Sequence, residues 1–90
     1  MEIEFDPDKE ARNRARHKLG FAGAEAIFEG FRIDDEDDRE DYGEPRFVTL
    51  GRIGSRVVVS VWTPRGDKAR IISLRKANKD EREIYHLHRP

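Results

Sequence analysis

The sequence predicts an α+β fold in the order β-α-α-β-β-β-α, with three helices packed on a four-stranded, mainly antiparallel sheet. Three apolar runs between residues 46 and 75 are joined by links too short for a crossover, so they form an antiparallel meander. Two stretches, about 7–19 and 78–87, open on Asp or Asn caps and keep helical periodicity. Helices gather at the two ends of the chain instead of alternating with the meander strands, which separates this pattern from a parallel α/β sheet.

The elements follow in order. Ile3 and Phe5 alternate with Glu2, Glu4 and Asp6, the period of a short half-buried edge strand. Asp6 before Pro7 reads as an N-cap followed by the first helical residue. The first helix then runs to about residue 19 and closes on Gly20, with His17 and Lys18 in the last turn where the helix dipole favours cations. Ala11, Ala15 and Leu19 fall on one arc of this helix, predicted to face the sheet. Lys9, Asn13, Arg16 and His17 fall on a separate polar stripe.

Phe21, Ala24, Ile27, Phe28 and Phe31 keep helical spacing, giving a short second helix over about 22–29 with core aromatics, stopped by Gly30. The acidic stretch 33–45, "IDDEDDREDYGEP", reads as loop. Strands are expected at 46–53, 56–63 and 68–75, turning at Gly54-Ser55 and at Pro64-Arg65-Gly66-Asp67. The run Val57-Val58-Val59-Ser60-Val61-Trp62 is apolar on both parities, which makes that strand central and covered on both faces. Asn78, three residues ahead of Glu81, gives a capping box for the last helix.

The chain of 90 residues, 36% hydrophobic and 41% charged, is the length of one domain over 1–90, and a domain this small buries only about 60% of its unfolded surface. No cysteine is present, so disulfides, thiolate metal sites and thiol nucleophiles are excluded. The start of the chain has neither the basic nor the apolar region of a secretion signal, and no apolar run approaches the roughly 18 residues of a membrane span. A cytoplasmic location is expected. The net charge of −1 hides a separation: residues 34–44 hold eight carboxylates against Arg39, and the rest of the chain carries 17 cations against 11 acids. A basic body suits a polyanion. The acidic loop is either solvated or a docking surface for a basic partner.

Arg70 and Arg75 bracket the last strand, either as solvated strand ends or as cations presented to an anion. Five residues apart, they point to opposite faces unless a bulge intervenes. His17 is a candidate for proton transfer near neutral pH, or simply a cation at a helix C-terminus. Lys9 and Arg16 on its stripe suit a phosphate. Tyr85 either stacks on a base or packs on the sheet. Thr63 and Arg65 sit where a ligand at the sheet edge would meet them, though Pro64 and Gly66 alone explain a turn there.

The acidic loop lacks the alternating ligands and sixth-position glycine of an EF-hand, and His86 and His88, two apart, do not share one helix face. No metal site or cofactor is expected. With no phosphate-cradling glycine loop and no nucleophile elbow, arginine-and-histidine phosphate chemistry remains. RNA cleavage through its own 2′-hydroxyl needs a base, an acid for the departing 5′-oxygen and donors for the phosphorane. Arginine is apt because its planar fork bridges two phosphate oxygens.

Three segments, "FDPDKEARNRARHKLGF", "EPRFVTLG" and "TPRGDKARIISLRKANKDEREIY", together resemble the BrnT family of toxins from bacterial type II toxin–antitoxin systems. The chain departs from that family in "GFAGAEAIF", which lacks a serine cap and paired glutamates, and in Leu74, where a small residue is usual. The resemblance implies a RelE-like fold, metal-independent ribonuclease activity, growth arrest when unopposed, and a BrnA-type ribbon-helix-helix antitoxin. Toxin and antitoxin are then expected to form a heterotetramer that touches DNA only through the antitoxin. On this reading Arg46, Arg70 and Arg75 contact the phosphate, Lys9 and His17 assist, and Tyr85 lies near the scissile nucleotide. RNA-binding residues would be Lys9, Arg16, Arg46, Thr63 and Arg65. The competing reading is an inert module that binds protein or RNA without cutting.

Overall fold

The computed structural model describes residues 1–90. Its order is β1 (Glu2–Glu4), α1 (Pro7–His17), a 3₁₀ helix (Ala24–Phe28), β2 (Ile33–Glu36), β3 (Phe47–Ile53), β4 (Arg56–Arg65), β5 (Lys68–Lys76) and α2 (Lys79–His88). The five strands form one mixed sheet in the order β1-β5-β4-β3-β2. β3, β4 and β5 make the expected antiparallel meander, whereas β1 runs parallel to β5 through Glu2, Ile3 and Glu4. Both hairpins turn on two residues whose first is a glycine with positive φ, Gly54 at 61° and Gly66 at 60°, as a type II′ turn requires.

The sheet has five strands rather than four, because the acidic stretch is not all loop. Its first residues form β2, antiparallel to β3. A relay holds this acidic strand: buried Trp62 donates to Thr49 at 2.8 Å, and Thr49 donates to Asp34 Oδ1 at 2.6 Å. The carboxylate is thus anchored to the sheet and its neighbours face water.

Strand β4 is central, as its two-sided apolar pattern requires. One face packs Val58 and Trp62, with Ala69, Ile71 and Leu74 of β5, against Phe21, Ala24, Ile27 and Phe28. Phe28 and Phe47 both sit on the Trp62 ring, edge-on at 5.0 Å and stacked at 5.1 Å between centroids. The other face packs Val57 and Val59 against Ala77 and Tyr85, beside Phe31, Val48 and Leu50. The second predicted helix is only the five-residue 3₁₀ turn. Gly23 and Gly30 leave it too little length for an α-helix, yet its aromatics are core as expected.

Gly51 fixes how closely that 3₁₀ helix approaches β3. A Cβ on this buried glycine would lie 2.6 Å from Cγ2 and 3.3 Å from Cβ of Ile27, which is itself fully buried. Gly51→Ala is expected to cost about 1–3 kcal/mol by overpacking, read as a lower urea midpoint at constant slope. A neutral effect would show that Ile27 retreats freely.

The first helix packs differently from its predicted arrangement. It ends at His17, and Lys18, not Gly20, takes the left-handed position with φ 63°. Ala11 and Ala15 are exposed, and Asn13 is the helix's one buried residue. The polar stripe therefore faces the sheet. The cause lies in β5: β1 pairs with it only through Lys68, Ala69 and Arg70, so its next residues present unpaired backbone groups. Those groups need polar partners, which alanines cannot supply.

Candidate functional site

Asn13 builds the site. Its amide NH2 donates to the Leu74 carbonyl at 2.8 Å and to the Leu19 carbonyl at 2.9 Å, and its oxygen accepts from the Leu74 N–H at 3.0 Å. The side chain stands in for a short piece of strand along the open edge of β5. Glu10 adds a second tie by accepting from the Phe21 N–H at 2.9 Å. Asp6 caps the helix through the Asp8 N–H, which sets the phase of every residue on the stripe.

With the stripe so fixed, a cleft of about 250 Å³ opens between α1 and the β5 edge, lined by Lys9, Arg12, Asn13, Arg16, His17, Ile72 and Ser73. None of Lys9, Arg12, Arg16 and His17 pairs with a carboxylate, although seven other basic side chains do. Four basic groups without a carboxylate partner on one concavity make the cleft electrostatically favourable to an anion.

A bulge decides where the strand arginines point. Val61 stands opposite Ser73, but Trp62 stands opposite Ile71, so Ile72 is the extra residue on β5. Arg75, Ser73 and Arg70 face Val59, Val61 and Thr63, alternate positions of β4, so all three share one face. The expectation of opposite faces assumed an unbroken strand, and the bulge reverses it. Ser73 is therefore the junction between the α1 cleft and the face carrying Arg70 and Arg75. Neither arginine itself lines the cleft.

Both arginines are engaged. Arg70 Nη1 donates to Glu4 Oε2 at 2.9 Å. Arg75 grips Glu81 with both nitrogens, at 2.8 and 2.9 Å. That hydrogen-bonded pair holds the Glu81 carboxyl below its ordinary range and raises the Arg75 guanidinium. Glu81 also accepts from the Asn78 N–H in the capping box, so one carboxylate both starts α2 and holds Arg75.

The remaining candidates are placed less favourably. Tyr85 is 2% exposed and its hydroxyl donates to the Phe31 carbonyl at 3.0 Å, so it packs α2 on the sheet and corrects the expectation of a tyrosine in the cleft. Thr63 is fully buried with its hydroxyl on the Pro45 carbonyl, which likewise takes it away from any ligand. Arg65 is exposed beside Glu44 at 3.8 Å. Arg46 lays its guanidinium over the Tyr42 ring at 4.0 Å, with Nε buried and without a partner. Sequence reasoning did not single out Arg12 or Ser73. For Arg12 the signal was present, three residues after Lys9 and four before Arg16, whereas Ser73 depends on the bulge.

The acidic strand lies at the opposite end of the sheet from the cleft. Three strand spacings separate β5 from β2, about 14 Å, which exceeds the Debye length of about 8 Å near physiological ionic strength. An anion in the cleft is thus largely screened from β2. Next to β2, Asp37 accepts from Arg39 at 2.8 and 2.9 Å and from the Tyr42 hydroxyl at 3.2 Å. The Arg39 hydrogen bonds lower its carboxyl from an ordinary 3.8 to about 2. A carboxyl depressed in the fold contributes stability that is full above its unfolded value and lost as pH falls toward its folded one. The urea midpoint is therefore expected to drop between about pH 4 and pH 2, and less so in Asp37→Asn. Identical acid profiles for the two proteins would remove Asp37 as a cause.

No helix is long and apolar enough to cross a membrane. No curated protein matches the sequence significantly. The family model described as ribonuclease toxin, BrnT, of type II toxin-antitoxin system matches residues 5–81, a stretch that holds α1, the bulge and both strand arginines, and the chain belongs to this family of toxins.

Proposed function

We propose that the chain acts as a metal-independent endoribonuclease that cuts RNA and arrests growth until a BrnA-type ribbon-helix-helix antitoxin neutralises it. The observation that carries this reading is the cleft of unpaired cations meeting the Arg70–Ser73–Arg75 face at the β5 bulge. In the proposed reaction the RNA 2′-oxygen attacks the adjacent phosphorus while its proton passes to a base. The bond to the 5′-oxygen breaks, an acid protonates that oxygen, and a 2′,3′-cyclic phosphate remains. His17 serves proton transfer. Arg70 and Arg75 stabilise charge on the phosphorane once phosphate displaces Glu4 and Glu81, and Lys9 and Arg16 hold flanking phosphates.

Arg46 and Arg65 would meet the strand beyond the cleft. Tyr85 and Thr63 have structural roles in this scheme. The α1 helix followed by an antiparallel meander supports a RelE-like architecture for residues 1–90 as one toxin domain. A cytoplasmic heterotetramer with the antitoxin, touching DNA only through that antitoxin, completes the proposal.

The inert-module reading draws on one observation, that Arg70 and Arg75 are each held by a carboxylate. Incubating the purified chain with RNA in EDTA separates the two. The ribonuclease reading expects cleavage, slowed about 10²-fold or more in Arg70→Ala. Binding without any cleavage by the native chain would select the inert module, and equal rates for the two proteins would remove Arg70 from the chemistry.

A further inference from the structure

We infer that Lys9, Arg12 and Arg16 form a track for the phosphates of one unpaired RNA strand, with Arg12 as an affinity-setting contact. The inference rests on the RNA reading above but not on cleavage. Arg12 is exposed, makes no hydrogen bond or ion pair, and lines the same cleft as Lys9 and Arg16. Its neighbour Arg14 points elsewhere and pairs with Glu10 at 3.5 Å. The two arginines of one helix turn thus divide: one serves the fold and the other is free.

The geometry sets the class of ligand. From Lys9 to Arg16 the helix rises about 10 Å, too long for a single phosphate and suited to successive phosphates of one strand. The row is one side chain wide. Beyond its outer flank lie Asp8, Ala11 and Ala15, all exposed, so a second strand there would meet no cation and one carboxylate. The inner flank is Asn13 and His17, which lead the strand to Ser73 and the β5 bulge. Single-stranded RNA fits this surface, and a duplex with two backbones does not.

A binding measurement tests the track without requiring catalysis. The probe is a labelled single-stranded RNA of about twelve nucleotides, 2′-O-methylated so that it has no attacking hydroxyl, titrated from roughly 50 to 200 mM salt. Three phosphate contacts on a single strand give a slope of about −2 in log affinity against log salt. Arg12→Ala is expected to flatten that slope by about 0.7 and weaken binding about fivefold at the low-salt end, equally for different sequences. Arg12→Lys should restore both. An unchanged slope and affinity in Arg12→Ala overturns the track, as does a blunt duplex that binds as tightly with the same dependence on Arg12. If the slope depends on Arg12 but unmodified RNA is never cut, the track stands and the ribonuclease reading falls. Cleavage with no dependence of binding on Arg12 removes the track alone.

Discussion

Replacing Asn13 with alanine is expected to lower stability by about 2–4 kcal/mol, since it strips partners from the Leu74 N–H, the Leu74 carbonyl and the Leu19 carbonyl together. A folded chain of 90 residues has about 5–15 kcal/mol in all, and each kcal/mol moves its melting temperature by about 4–8 °C. A drop of 10 °C or more should appear in a thermal melt followed by circular dichroism. Asn13→Asp should fare little better. Its carboxylate still accepts from the Leu74 N–H but confronts two carbonyl oxygens that it cannot donate to. Gln carries an extra methylene into a site whose three partners already fix the amide. A loss below about 1 kcal/mol for Asn13→Ala would mean that α1 is held on β5 by something other than this clasp.

The same residue shows why part of the architecture was legible and part was not. Local signals were read correctly where the chain satisfies itself: the Asp6 and Asn78 caps, the Glu81 partner, the two-sided apolar β4 and the glycine turns of the meander. Each depends on residues a few positions apart. The face that α1 buries depends instead on what lies opposite, and that is an open strand edge. Hydrophobic pattern favoured Ala11 and Ala15, while the edge's need for hydrogen bonds selected Asn13. Strand β2 was missed for a related reason. Asp34 looks like loop until Thr49 and Trp62 are placed to receive it.

The site divides along the same line. Lys9, Arg16 and His17 share a stripe by helical periodicity alone, and the structure places all three on one cleft. That Arg70 and Arg75 share a face with Ser73, outside the cleft proper, depends on the extra residue Ile72, a register change in β5 with no local sequence mark. Tyr85 was ambiguous between stacking and packing, and Phe31 decided it by offering both a ring at 5.4 Å and a carbonyl. Glu4 and Glu81, unnoticed as site neighbours, turn out to hold the two arginines. They orient these guanidiniums, and in the proposed reaction phosphate has to displace them.

His17→Ala is expected to give the largest functional loss, about 10²–10⁴-fold in the rate of RNA cleavage at saturating substrate. The expectation follows from position. The imidazole lines the cleft beside Ser73, has no carboxylate partner, and makes no side-chain hydrogen bond, so no fixed contact competes with a substrate proton. Losing it should not unfold the chain, because Asn13 and Glu10 carry the ties of α1. The circular dichroism melt should therefore stay near that of the native chain. A role in proton transfer places the loss in kcat, whereas a role as one more cation on the stripe places it in KM, as for Arg12→Ala. His17→Lys makes the distinction sharper: it places a cation on the helix but removes the imidazole. Recovery of kcat in His17→Lys would assign His17 to charge alone, and persistent loss would assign it to the proton.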